Sequence, residues 1–251
     1  MHGEYFKNHK GEKMKTIYHA AGSRGHAEHG WLKSNHTFSF ANYYNRERMH
    51  FGVLRVINDD SVEGGEGFGT HPHNDMEIIS LPLEGELEHR DSMGNGSIIR
   101  QGDVQVMSAG TGITHSEFNA RQDQPVKFLQ IWVFPREKGV KPRYDQVRIA
   151  DFTKPNDFQQ IVSPDPDGDG VWIHQDAWFH LANFDKGVTK EYDVKKKGNG
   201  VYLFVIRGKA KVSTQTLNER DGYGIWDIGS FTLEALEDSE ILLMEVPMEL
   251  P

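Results

Sequence analysis

The chain contains no cysteine among its 251 residues. Disulfides, thiolate nucleophiles and cysteine-ligated zinc are thereby excluded, so any bound metal must take nitrogen and oxygen donors. Long apolar runs are also missing. The longest, such as Ile241-Leu242-Leu243-Met244, have strand length and fall far short of the ~20 residues of a membrane-crossing helix. The start, Met1-His2-Gly3-Glu4-Tyr5, lacks the apolar stretch of a secretory signal, so no membrane partner and a cytoplasmic location are expected. An excess of positive charge is absent as well. With 28 Lys and Arg against 37 Asp and Glu, the net charge of −9 argues against a broad nucleic-acid surface, and leaves open contact made through a protein partner.

What is present describes a turn-rich β protein. Hydrophobic residues make up 37% and aromatics 11%, with 26 glycines, and the length suits one large β domain or two of about 125 residues each. The first 14 residues are polar and without period, which predicts a loose tail, and Met14-Lys15 is an alternative start to Met1. From Ile17 onward, short alternating or β-branched segments predict strands over Phe51 to Ile57, Glu77 to Leu83, Asp103 to Met107 and Phe128 to Phe134. Val201 to Ile206, Lys211 to Thr216 and Glu240 to Val246 follow. Gly94-Asn95-Gly96 reads as a tight hairpin turn. Strands of this length and spacing mean an antiparallel barrel or sandwich.

Between Pro135 and Gly170 the pattern breaks, with five prolines and a run of acidic residues. We read a first β unit over 15–135, a connection over 136–170 and a second unit over 171–251. Leu83-Glu84-Gly85-Glu86 and Ile206-Arg207-Gly208-Lys209 are similar turns after apolar strands, which points to duplication.

The chemistry lies in two short pairs. His71-Pro72-His73 is followed, 42 residues after His73, by His115-Ser116-Glu117. Each pair is spaced i and i+2, so on a strand both members point to one face. On facing strands the two pairs close one site of three imidazoles and a carboxylate. Gly110-Thr111-Gly112, just before, is a turn that lets backbone approach such a site closely. Parity alone leaves the carboxylate open, because Asp75 and Glu77 share the parity of His71 and His73. Such a donor set leaves up to two open positions on a six-coordinate divalent ion. It suits Fe(II) first, with Mn, Co, Ni and Cu as alternatives, and zinc as an adventitious occupant.

The stretch Gly67 to Glu77, a glycine followed by His-x-His, three residues and Glu, resembles the first cupin motif. Gly110 to Asn119 resembles the second, although Gly110 stands where proline is usual. Glu117, two residues after His115, is a feature of the pirin branch, which the stretches around His36 to Tyr44, His71 to Ile78, Asp91 to Asn95 and Met107 to Glu117 also resemble. This resemblance spans roughly Gly25 to Val246. It implies an all-β bicupin, two jelly-roll barrels in tandem, with N-terminal strands open to exchange between the barrels. It further implies a metal bound by His71, His73, His115 and Glu117 in the first barrel, with Glu77 not a ligand. The second half, lacking His-x-His, is then a copy without the metal.

Bacterial pirin-like proteins are similar to quercetin 2,3-dioxygenases, so the resemblance implies opening of a flavonol heterocycle with O2 and release of carbon monoxide. Glu117 would be the base for the flavonol 3-hydroxyl. The rival implied reading is an iron-binding, redox-sensing regulator that acts through protein partners. A further option is a cupin isomerase, or a dioxygenase for another catechol-like compound.

Four other features have simpler readings. Asp165-Pro166-Asp167-Gly168-Asp169-Gly170, with Asp176, nearly fits a calcium loop, but its proline and the strand-like Val171-Trp172-Ile173 favour a solvated turn. His174 and His180, near Trp172, Trp178 and Phe179, are expected to pack in the second barrel. Lys195-Lys196-Lys197 is read as a solvated hairpin tip. His36, Phe38 and Phe40 alternate on one face, either walling the metal pocket or filling the core.

Overall fold

The computed structural model describes residues 4–7 and 13–251, with side chains from Met14 onward. Residues 1–3 and 8–12 lie outside the described residues; with them go Met1 as a start and most of the expected tail. The first strands, in chain order, are β1 (Glu4–Lys7), β2 (Lys13–His19), β3 (Gly25–Glu28), β4 (Leu32–His36), β5 (Leu54–Val62) and β6 (Gly67–His73). Next come β7 (Glu77–Glu84), β8 (Glu86–Asp91), β9 (Gly96–Arg100), β10 (Asp103–Ser108), β11 (Ile113–Asn119) and β12 (Val126–Val133). They are followed by β13 (Arg143–Arg148), β14 (Phe158–Ser163), β15 (Val171–Trp172), β16 (Trp178–Phe184), β17 (Thr189–Asp193) and β18 (Asn199–Arg207). The last are β19 (Ala210–Val212), β20 (Gln215–Leu217), β21 (Gly222–Trp226), β22 (Ser230–Ala235) and β23 (Ser239–Pro247).

These strands build two jelly-roll-like sandwiches whose sheets do not close into barrels. The first faces the seven-stranded sheet β13-β10-β7-β12-β5-β4-β3 against the four-stranded sheet β6-β11-β8-β9. The second faces β1-β2-β21-β18-β23-β16-β14-β15 against β17-β22-β19-β20. The N-terminal strand β2 thus pairs with β21 in the second sandwich, and Met14 is buried in its core rather than lying in a polar tail.

The two large sheets pack against each other. Ile79, Leu81, Leu129 and Ile131 from one and Phe179, Tyr202, Phe204 and Leu242 from the other belong to a single apolar cluster. Period 2 explains why both faces of these strands are buried: Tyr202 and Phe204 face the interface, while Val201, Leu203 and Val205 fill the second sandwich. Each such side chain stabilises the fold by ~1.5–3 kcal/mol.

The first sandwich is filled differently. Its interior holds two smaller apolar clusters, one with Leu87 and Phe128, the other with Ile78, Met107 and Ile113. Along β12 the inward residues run Phe128, Gln130, Trp132, and along β11 they run Ile113, His115, Glu117, so polar groups separate the two clusters. That polar gap is where the candidate site lies.

Several local expectations change. β13 and β14 occupy part of the proline-bearing stretch, because β13 is a half-buried edge strand defined by its pairing with β10 and shows no apolar period. Lys211 to Thr216 divides into β19 and β20 around Ser213, whose φ is +53°. Phe51 and Leu54 bridge each other in a tight turn before β5 proper. The hairpin expected at 94–96 does join β8 to β9; its positive φ falls on Gly94, and the loop is closed by the Asp91 carboxylate accepting from the Met93 and Asn95 amides. No helix among the described residues is long and apolar enough to cross a membrane.

Candidate metal centre

β6 and β11 are antiparallel neighbours, with His71 opposite His115 and His73 opposite Ile113. β6 is the sheet edge, where Pro72 leaves no ladder bond unmade. Close approach of the strands depends on Gly67, where a Cβ would lie 2.3 Å from the Glu117 carbonyl oxygen. Gly110, with φ +47°, and Gly112, with φ +128°, make the turn into β11, and a Cβ on Gly110 would lie 2.0 Å from the Val140 carbonyl oxygen.

The three rings converge. Their centroids are 4.4 Å apart for His71 and His115, 4.8 Å for His71 and His73, and 4.9 Å for His73 and His115. A nitrogen from each lies within 4.8 Å of the others. His71 Nδ1 is 2.8 Å from the Gly69 carbonyl oxygen; donating there leaves Nε2 as its lone pair. Buried and without a hydrogen-bond partner are His73 Nε2 and both ring nitrogens of His115. Burial, then the neighbouring His71, pushes His73 down to about 4. Burial, then His71, His73 and His89, pushes His115 down to about 2. Neutral imidazoles with unsatisfied, converging nitrogens are the donor set a divalent ion fits.

Glu117 sits on the same strand but across a bulge. The register shifts between His115 and Glu117, so Glu117 pairs with Phe68 on one side and His89 on the other. Its Oε2 accepts from Gln130 Nε2 at 2.7 Å and its Oε1 from the Ser80 hydroxyl at 3.1 Å. Glu117 forms a metal-capable group with His115 and His89; His115 is common to it and to the three-histidine group.

The alternative carboxylates are elsewhere. Glu77 shares the Ile79 face of β7, toward the interface between sandwiches, where its Oε2 accepts from Ser108 at 2.6 Å. Asp75 closes a loop by accepting from the Gly139 amide at 2.7 Å. His89 and Trp132 are additions that the sequence reading missed. His89-x-Asp91 has the same i, i+2 spacing as the two recognised pairs, and this was its available signal. Trp132 lies 4.9 Å from His73 and 5.4 Å from Phe40, ring to ring. Phe40 therefore borders the site through Trp132, whereas Phe38 enters the inter-sandwich core beside Tyr202.

The remaining features lie outside this histidine cluster. His180 is buried with Nδ1 3.3 Å from the Tyr192 hydroxyl, and Tyr192 donates to Glu245. His174 is half-buried against Trp172. Asp165 turns back on the Asp167 amide, and among the described residues no metal-capable group includes this loop. Lys195 and Lys196 donate their amides to Glu245 in a crossover between sheets, not at a hairpin tip.

Fold and site together define a two-domain cupin whose first domain carries a histidine cluster that could hold a metal ion. The pirin family model matches residues 17–133, and the model of the quercetinase C-terminal cupin domain matches residues 160–246. The chain belongs to the pirin family. It is 44% identical over 227 residues to the quercetin 2,3-dioxygenase of Escherichia coli K12, a match covering 90% of this chain and 96% of that protein. It is 40% identical over 222 residues to a pirin-like protein of Caulobacter vibrioides, covering 88% and 95%. The crystal structure of the bacterial pirin YhhW from Escherichia coli in complex with nickel(II) matches with a TM-score of 0.87 and 42% identity, over 92% of this chain and 99% of that one.

Proposed function

We propose that this protein is a metal-dependent dioxygenase that opens the heterocycle of quercetin-like flavonols with O2 and releases carbon monoxide. The observation that carries the reading is the convergence of three imidazoles beside a buried carboxylate, in a chain whose relative of 44% identity is named for this activity. His71, His73 and His115 are the nitrogen ligands, and Glu117 is the oxygen ligand. Fe(II) is the first candidate ion, with Mn, Co, Ni, Cu and Zn as alternatives. When bound, such an ion supplies positive charge for a deprotonated flavonol and open positions for substrate and O2.

The chain's own part is positional and protonic. Glu117 takes the proton of the flavonol 3-hydroxyl. Gln130 and Ser80 hold the two carboxylate oxygens by donating to them, which orients the base. Trp132 and Phe40 offer aromatic faces for a flat substrate. The test supplies quercetin aerobically to protein loaded in turn with each ion, following flavonol absorbance and carbon monoxide. Absorbance loss with carbon monoxide release is expected with at least one ion, and failure with every ion overturns the reading.

A further inference from the structure

His89 is outside the expected ligand set, yet it is built like part of it. It lies on β8 directly opposite Glu117, and neither its side chain nor that of Asp91 is exposed at all. His89 Nε2 is 3.3 Å from Asp91 Oδ2, while His89 Nδ1 is buried without a partner. Asp91 is itself held by the Met93 and Asn95 amides and by Asn95 Nδ2 at 2.8 Å. With Nε2 beside the Asp91 carboxylate, which can only accept, Nδ1 is the nitrogen of His89 left free to accept in turn. Tyr144, 4.8 Å away ring to ring, covers the imidazole.

His115 has the complementary need. A neutral imidazole carries one N–H and one lone pair, and both nitrogens of His115 are buried and unpartnered. With the lone pair given to an ion among His71 and His73, the N–H is left over. A metal-ligating histidine normally donates its other N–H to a fixed acceptor. The rings of His89 and His115 are 5.3 Å apart. An N–H···N bond of ~2.9 Å between two imidazoles sets their centroids ~5 Å apart, close to the separation found.

We propose that His89 is a positioning residue of the metal centre: its Nδ1 accepts the N–H of His115, so that the chain Asp91, His89, His115 determines which His115 nitrogen faces the ion. The proposal rests on the metal-centre reading and adds to the four ligands the group that orients one of them. Asp91 also closes the 91–95 loop, so the test is placed on His89.

The experiment measures affinity of the full chain for zinc and cobalt by competition with a chromophoric chelator, and records imidazole ¹⁵N spectra of the zinc-loaded wild type. His89→Phe should weaken binding about 10–100-fold. His89→Gln, whose amide oxygen can accept the same N–H, should retain most of the affinity. In the wild type, His115 should show one metal-bound and one protonated nitrogen, the latter coupled to His89 Nδ1. Unchanged affinity in His89→Phe, no rescue by glutamine, or a metal-bound signal from His89 itself overturns the proposal. If the variants fail to fold, the wild-type spectra decide alone. A wild type that binds neither zinc nor cobalt sinks the metal-centre reading and this proposal with it, whereas normal wild-type binding with an indifferent His89→Phe sinks only the proposal.

Discussion

His71 and His115 are register partners across the β6–β11 ladder, with ring centroids 4.4 Å apart. Because side chains alternate, placing these two opposite each other also aims His73 at the same point. Past the bulge that follows His115, Glu117 pairs with His89 on β8, while its carboxylate reaches across the sandwich to Gln130 on β12 and Ser80 on β7.

Metal content should follow this geometry. The purified protein is expected to hold about one divalent ion per chain, because converging unpaired donors occur in the first sandwich alone among the described residues. Elemental analysis of a His71→Ala/His115→Ala double variant should show the ion gone, and retention at wild-type level would place it elsewhere.

Glu117→Gln separates ligation from proton transfer. A carboxamide still offers an oxygen but is a poor base, and general-base contributions are typically ~10²–10⁴-fold. Flavonol turnover should therefore fall by more than metal affinity does, both measured on the reconstituted variant. Equal losses would make Glu117 a ligand only.

In the second sandwich, Glu245 is fully buried and accepts from Tyr192, the Lys195 and Lys196 amides and Asn199 Nδ2. Glu245→Ala strands several buried donors, each costing ~1–3 kcal/mol, so a loss of ~3 kcal/mol or more is expected in denaturant unfolding. His180→Ala should cost ~1–3 kcal/mol. Metal content and quercetin turnover of the folded variants should stay at wild-type level; loss of turnover with the fold intact would put chemistry in this half.

Acid should destabilise the fold through two buried histidines remote from the metal. Burial first, and then Arg48, pushes His19 down to about 3, and burial with Lys195 does the same to His180. The unfolded chain takes up these protons below an ordinary value of 6.5, while the folded chain resists until about 3. Their contribution is therefore complete above 6.5 and shrinks as pH falls through that window, by up to ~1.4 kcal/mol per pH unit for each group. Denaturant unfolding of the metal-free protein at about pH 7 and about pH 5 should show the decline, and His19→Gln should make it shallower; an unchanged slope would contradict the assignment.

The sequence by itself determined the chemistry of the donors. No cysteine meant nitrogen and oxygen ligands, and the i, i+2 spacing of His71 with His73 and of His115 with Glu117 follows from strand alternation, a local property of the backbone. Only the tertiary structure decided the rest. Glu77 has the right parity, but which face of β7 is interior depends on the sheet packed against it, and Ile79 and Glu77 turn out to face the other sandwich. His89-x-Asp91 carries the same spacing as the ligand pairs, yet nothing within β8 says that β11 lies beside it. Strand pairing joins residues far apart in the chain through backbone hydrogen bonds that no side-chain pattern encodes, and the packing of two sheets then chooses which parity looks inward.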